Sequence, residues 1–99
     1  MAIRDCCVAG AGISCLDYVI VAPRVKWGET AEITHYAEQG GGLVATALVA
    51  CARLGARTCL YSLLGEDALG SRIVSDLREE GVDVSGVALI SGGASPFSF

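Results

Sequence analysis

The chain has 99 residues, enough for one small domain. Of these, 53% are hydrophobic, and seven basic against eleven acidic residues give a net charge of −4. No basic cluster is present, which argues against nucleic acid or an anionic membrane as partner, and no apolar stretch reaches bilayer length. The mean hydropathy of +0.54 is high for a chain of this size and implies further protein to pack against.

The first predicted element is a central strand over Cys6 to Ile13, an apolar run holding Gly10 and Gly12. Gly10-Ala11-Gly12 suggests a dinucleotide fingerprint, but Cys15 stands at the third glycine position. The residues that follow, Leu16 to Val21, are β-branched and aromatic where a helix is required. That argues against a dinucleotide-dependent oxidoreductase, which is left as a third and weak reading. Asp17 sits inside this second strand, where aspartate is a poor β-former and costly to bury unpaired. From local sequence alone it reads as a turn residue capping a loop N–H.

Pro23 to Gly28 is a turn segment carrying the single Trp27, a residue that covers a loop or anchors a partner. Ala31 to Glu38 alternates Ile33, His35 and Ala37 against Glu32, Thr34, Tyr36 and Glu38, which predicts a strand exposed on one side. His35 has no Ser, Cys or Asp at triad or metal spacing beside it, so a structural role is expected. Gly40, Gly41 and Gly42 then open a helix over 42–54. It is so apolar that burial nearly all round is expected. Its first turn presents N–H groups without intrahelical partners, and a ligand oxygen can approach there over the glycines.

Thr58 to Leu64 is a short buried strand ended by Gly65. Asp67 is a plausible N-cap for a helix over 67–80, whose buried stripe is Leu69, Ile73, Val74 and Leu77 and whose stop is Gly81. Val82 to Val84 leads into a further strand that includes Val87 to Ile90. Glu66, Asp67 and Gly70 read as loop, cap and close packing, with no catalytic part.

Five cysteines, Cys6, Cys7, Cys15, Cys51 and Cys59, are odd in number and lie in apolar runs without paired spacing. They are expected to be buried thiols in a reducing cytoplasm, without disulfides. A metal on Cys6 and Cys7 is disfavoured, because neighbours on a strand point to opposite faces and no second Cys or His pair has ligand spacing. Arg4 and Asp5 interrupt the N-terminal apolar residues, so no secretory signal is expected.

Taken together, Gly41-Gly42, Ala50, Ala52-Arg53-Leu54-Gly55, Gly65, Asp67, Gly70, Leu77 and Gly81-Val82-Asp83 keep a set of spacings that resembles the N-terminal signature of the PfkB carbohydrate kinases. The resemblance covers most of the chain, including the Ser95-Pro96-Phe97-Ser98 tail. It implies a ribokinase-like α/β fold: three α/β/α layers around a parallel core sheet, and a small β lid built from residues 16–22, 30–38 and 96–99. The 99 residues are then the N-terminal part of such a domain.

The resemblance also implies an ATP-dependent kinase that transfers the γ-phosphate to a sugar hydroxyl. Asp17, Gly41, Gly42 and Thr46 would be the substrate-binding residues. Asp17 would accept hydrogen bonds from neighbouring hydroxyls, while Gly41 and Gly42 would approach the sugar closely and act as a hinge between lid and core. The best-known members carry Asn where Thr46 stands, and often Asn where Cys15 stands. Thr46 therefore loosens the choice of substrate, toward ketohexose-like sugars. ATP and Mg²⁺ are implied for the complete enzyme. Their sites and the catalytic base, in a Gly-Ala-Gly-Asp-like motif, belong to a C-terminal half not found in these residues. No catalytic, nucleotide-binding or metal-binding residue is expected here, and the chain alone is expected to be inactive. A homodimer through the lid is a further expectation, and a noncatalytic sugar-binding module is the alternative.

Overall fold

A computed structural model describes residues 5–99. The chain runs β1 (Val8–Ala11), β2 (Cys15–Val21), β3 (His35–Gly41), α1 (Leu43–Arg53), β4 (Thr58–Gly65), α2 (Ala68–Glu79), β5 (Val82–Ile90) and β6 (Phe97–Ser98). These form two three-stranded sheets. The main sheet has the order β1-β4-β5, parallel throughout, and the second has the order β3-β2-β6. In the second sheet β2 pairs antiparallel with β3 and parallel with β6.

The main sheet follows from the alternation of short apolar strands with helices, because a helical crossover returns the chain parallel and right-handed. With strand order β1-β4-β5, both crossovers place their helices on the same face. Leu48 of α1 and Ile73 and Leu77 of α2 pack there with Leu60, Leu64, Val82 and Val84 of the sheet. The register slips once between β4 and β5: Cys59 opposes Asp83, but Tyr61 opposes Gly86. Asp83 Oδ1 accepts from the backbone N–H and the hydroxyl of Ser85 at 2.9 and 2.7 Å, which folds the extra β5 residue into a tight turn.

The other face of this sheet is uncovered among the described residues. Tyr61 and Ile90 are exposed on it, and Leu63 is 70% exposed. This chain therefore contributes two layers of the fold, one sheet and its helices. The expectation that the helix at 42–54 is buried nearly all round is corrected in the same way. Only Ala45 and Leu48 of α1 are buried, while Leu43 and Leu54 are 86% and 88% exposed. A helix lying on one sheet face hides one stripe, and the remaining apolar side of α1 meets no other element here.

The strand expected over 30–38 begins and ends later, at His35–Gly41. The alternating pattern of 31–34 is compatible with a strand, but of this stretch only Thr34 bonds back, its N–H to Val21 O at 2.8 Å. Pairing runs on instead through Gly40 and Gly41, opposite Leu16 and Cys15. His35 begins β3 opposite Val21, and its side chain makes no hydrogen bond or ion pair. Trp27 is fully exposed on the connecting loop.

The cysteine expectation is corrected too. Cys6 and Cys59 form a disulfide, with Cα atoms 6.0 Å apart, and Cys7 is exposed while Cys15 and Cys51 are partly buried. Parallel pairing of β1 with β4 sets Val8 opposite Thr58 and Ala9 opposite Cys59, and this brings the chain just before β1 over Cys59. Two residues 53 apart in sequence give no local signal of such a pairing.

The two sheets are joined by a buried polar cluster. Asp67 caps α2 by accepting from Gly70 N–H at 2.7 Å. The hydroxyl of Ser95 donates to the same carboxylate oxygen at 2.7 Å, and Ser95 N–H donates to Oδ2 at 2.9 Å. Gly65 N–H in turn donates to Ser95 Oγ at 3.0 Å. A Cβ on Gly70 would overlap the Gly65 carbonyl and crowd Ser95, so the close packing demands glycine. Expected structural roles for Asp67 and Gly70 are thus what the geometry gives.

The Ser95 hydroxyl, with the Ser95 and Gly70 N–H groups, holds the Asp67 carboxyl below its usual range. A carboxyl depressed in the folded state stabilises the fold above its unfolded pKa of about 3.9, and that stability is lost as pH falls through the lower folded value. Ser95→Ala removes the buried hydroxyl and leaves Gly65 N–H unsatisfied, so it should cost about 1 to 3 kcal/mol at neutral pH. Denaturant unfolding should show the gap between wild type and variant narrowing below about pH 3.9, as Asp67 takes up its proton. A gap independent of pH would place the whole cost in the Gly65 contact.

Candidate substrate-binding site

Asp17 lies in the middle of β2, opposite Gln39 of β3 and Ser98 of β6. The period of two puts Cys15, Asp17 and Val19 on one face of the second sheet, and Leu16 and Tyr18 on the other. Leu16 is buried in the core, and Tyr18 packs against Tyr36, Phe97 and Phe99, with ring centroids 5.2 to 6.5 Å away. That packing fixes the strand's facing and aims Asp17 away from the core.

One oxygen of Asp17 is engaged. Oδ1 accepts from the Ser98 hydroxyl at 2.6 Å and from the Cys15 thiol at 3.4 Å. Burial, and then the nearby Asp17 carboxylate, push the Cys15 thiol pKa up, so it stays a neutral, weak donor. Among the described residues, Oδ2 has no hydrogen-bond partner and no basic side chain pairs with the carboxylate. Gly41 explains how the carboxylate fits. A Cβ built on Gly41 would overlap both Asp17 oxygens and Cγ, so the missing side chain is the space that Asp17 occupies.

Gly42 follows with φ 95°, in the region open to glycine, and serves as the N-cap residue of α1 without any side-chain cap. A Cβ there would run into the Ile13 carbonyl and Ser14. The helix begins with no acidic residue in its first turn. Its positive end is therefore not neutralised locally, and it starts two residues after the glycine that Asp17 touches.

The structure thus brings Asp17 and Gly41 into contact, with Gly42 next to them. Thr46 is placed differently. Its N–H bonds Gly42 O at 2.9 Å within α1, and the residue lines a cavity of about 500 Å³ between α1, α2 and the β2–β3 pair. Gly41 and Cys15 also border that cavity, but Asp17 does not, and no hydrogen bond joins Thr46 to Asp17. Ser98 was not foreseen from the sequence. It stands 81 residues from Asp17, and only the parallel pairing of β6 with β2 makes them neighbours.

Among the described residues, no group of three or more His, Cys, Asp or Glu side chains is gathered to hold a metal ion. The described residues therefore offer no fitting donor set for the Mg²⁺ implied for a sugar kinase. The carboxylate can accept hydrogen bonds from two adjacent hydroxyls.

The family model for pfkB family carbohydrate kinases matches residues 6–95. Among curated proteins, the chain is 32% identical over 99 residues to fructokinase-1 of Oryza sativa subsp. japonica, covering all of this chain and 30% of that protein. It is 38% identical over 81 residues to the ribokinase of Bacillus subtilis strain 168, covering 80% of this chain and 27% of that one. A solved structure of a proposed ribokinase from Agrobacterium tumefaciens superposes with a TM-score of 0.85 at 30% identity, over 92% of this chain and 30% of that chain. Aminoimidazole riboside kinase from Salmonella enterica, solved with aminoimidazole riboside and an ATP analogue, gives 0.72 at 27% identity, over 91% of this chain and 27% of its own. The chain spans about 30% of the length of these relatives. With the parallel sheet, the second sheet and the Asp17–Gly41 contact in place, the match assigns the chain: it belongs to the pfkB family of carbohydrate kinases.

Proposed function

We propose that this chain forms the sugar-holding part of an ATP-dependent carbohydrate kinase, with the second sheet as a lid over the substrate and Asp17 as the acceptor for sugar hydroxyls. The observation that carries the reading is the fit of the Asp17 carboxylate against the bare backbone of Gly41, with Oδ2 unpartnered among the described residues. A polyol suits this arrangement, since two neighbouring hydroxyls donate to one carboxylate and the glycine leaves room for the ring beside it. The first turn of α1 holds no acidic residue, and while Ala45 N–H donates to Ile13 O at 3.4 Å, the Leu43 and Val44 N–H groups would receive a hydroxyl oxygen of the same sugar. Fructokinases and ribokinases among the relatives support ketohexoses and pentoses as the substrates to try first. In the same reading, the outer edge of β3, which no strand among the described residues covers, is where a second copy would pair.

The proposed role of Asp17 is tested by Asp17→Asn, which keeps the shape and removes the charge. Calorimetric titration of the chain with fructose and with ribose should show affinity falling by about 1.5 to 3 kcal/mol for the sugar that binds, with the unfolding midpoint nearly unchanged. Unchanged affinity for both sugars would confine Asp17 to its bonds with Ser98 and Cys15. Gly41→Ala should weaken binding as well, because the new methyl group displaces the carboxylate.

Transfer is a separate question from holding. Incubated with MgATP and the same sugars, the 99-residue chain should release no ADP in a sugar-dependent way. A positioned base and an oxyanion donor each contribute factors of about 10² to 10⁴, and neither stands beside Asp17. Sugar-dependent turnover near the low end for kinases, about 1 per second, would show that the catalytic groups lie within this chain after all.

A further inference from the structure

We propose that Cys6 and Cys59 form a reversible redox couple, a disulfide that small thiols open and close at the end of the main sheet where its strands begin, opposite the Asp17 site. Both residues lie where the parallel strands begin: Cys6 two residues before β1, and Cys59 second in β4. Gly65 closes the other end of β4, and the Asp17 site lies in the second sheet, which the chain enters past the other end of β1. The couple is therefore independent of the sugar-holding reading.

Backbone pairing places the two sulfurs together. Cys7 N–H and Val8 N–H both donate to Arg57 O, at 2.8 and 3.1 Å, and the ladder continues with Val8 opposite Thr58 and Ala9 opposite Cys59. The Cα separation of 6.0 Å is one that a disulfide spans without moving the backbone, the usual range being roughly 4.4 to 6.8 Å. Since the hydrogen bonds hold the strands with or without the bridge, opening it does not require the sheet to come apart. A cross-link laid over an existing strand pair has two folded states, oxidised and reduced.

The two sulfurs differ in access. Cys59 is fully buried and Cys6 is partly exposed, so Cys6 Sγ is the atom an incoming thiolate reaches. Its attack forms a Cys6–S–S–R mixed disulfide and breaks the bond to Cys59, whose sulfur leaves as thiolate and takes up a proton. A second thiolate attacks the reagent's sulfur, releasing R–S–S–R and leaving Cys6 as thiol. Two external thiols are oxidised and one protein disulfide is reduced. Beside this point, the Arg57 guanidinium lies 3.4 Å from the exposed Cys7 thiol and holds its pKa below the usual thiol range. The same positive charge attracts an anionic thiol to the site, with the glutathione type as the fitting class.

The chain should be equilibrated over a range of reduced-to-oxidised dithiothreitol ratios, quenched with acid, alkylated in denaturant and weighed intact. The expected result is three alkylated cysteines at the oxidising end, Cys7, Cys15 and Cys51, and all five at the reducing end. One two-electron transition should separate them, with peptide mapping of the bridge to Cys6 and Cys59 and the same far-ultraviolet circular dichroism at both ends. Five alkylated cysteines at every ratio, three at every ratio, a bridge that maps to another pair, or unfolding on reduction would each overturn the proposal. Arg57→Gln should slow reduction by glutathione several-fold without changing the circular dichroism, and an unchanged rate would remove Arg57 from it.

Discussion

The arrangement of this chain depends on one buried serine. Ser95 makes hydrogen bonds to Asp67 through both its hydroxyl and its N–H, and its oxygen accepts from Gly65 N–H. Three separate segments meet there: the end of β4, the cap of α2 and the chain leading into β6. Each would otherwise bury an orphaned donor or acceptor, at a cost comparable to the whole net gain of a hydrogen bond. The consequence reaches the other sheet. With Ser95 fixed, Pro96 O accepts from Leu16 N–H at 3.3 Å and Phe97 falls opposite Leu16, so Ser98 arrives opposite Asp17. The carboxylate that defines the candidate site is thus oriented through the same contact that caps α2.

A second constraint is the bare glycine backbone beside Asp17. Gly41 and Gly42 are consecutive yet required for different reasons, the first by contact with the carboxylate and the second by its positive φ and the Ile13 carbonyl. Glycine in a strand weakens it through lost packing and greater unfolded-state freedom. Here that weakness falls at the end of β3 nearest α1, where a sheet meets a helix end. Such a junction is where a lid would turn against a core, and the conformational freedom that makes β3 hard to delimit from sequence is the freedom a hinge needs.

The main sheet and α2 were legible in the sequence because their signals are local. Leu69, Ile73, Val74 and Leu77 repeat at helical spacing between an aspartate cap and Gly81, and Thr58 to Leu64 is a compact apolar run. The uncertain parts are those settled by partners distant in sequence. The bounds of β3 depend on which residues β2 offers, and the alternation of 31–34 says nothing about that. Cys6 with Cys59, and Asp17 with Ser98, are pairs created by parallel strands, whose register no local pattern specifies. The exposure of α1 has a similar origin. An apolar helix declares that it will be covered, and here only the sheet side of it is.

That uncovered surface bears on the limits of the site. Leu43 and Leu54 on α1, and Leu63 and Ile90 on the sheet, lie on two different sides of the layer pair, so the exposed apolar area is no single patch. A chain that stays folded with both sides bare forgoes hydrophobic stabilisation of roughly 1.5 to 3 kcal/mol for each large side chain left in water. The proposed sugar site has the same one-sidedness. In that proposal Asp17 would approach the sugar from the second sheet and the α1 end from beside it, and no described residue is assigned to the opposite side of the sugar. Groups that bind a hydroxyl equally well before and during reaction lower the energy of both states and leave the barrier unchanged. Only a charge or base placed where the transition state differs from the bound sugar reduces that barrier. In the proposed kinase, such groups must therefore approach from the open side, and the covering of the bare apolar faces and the completion of the active site would be a single assembly step.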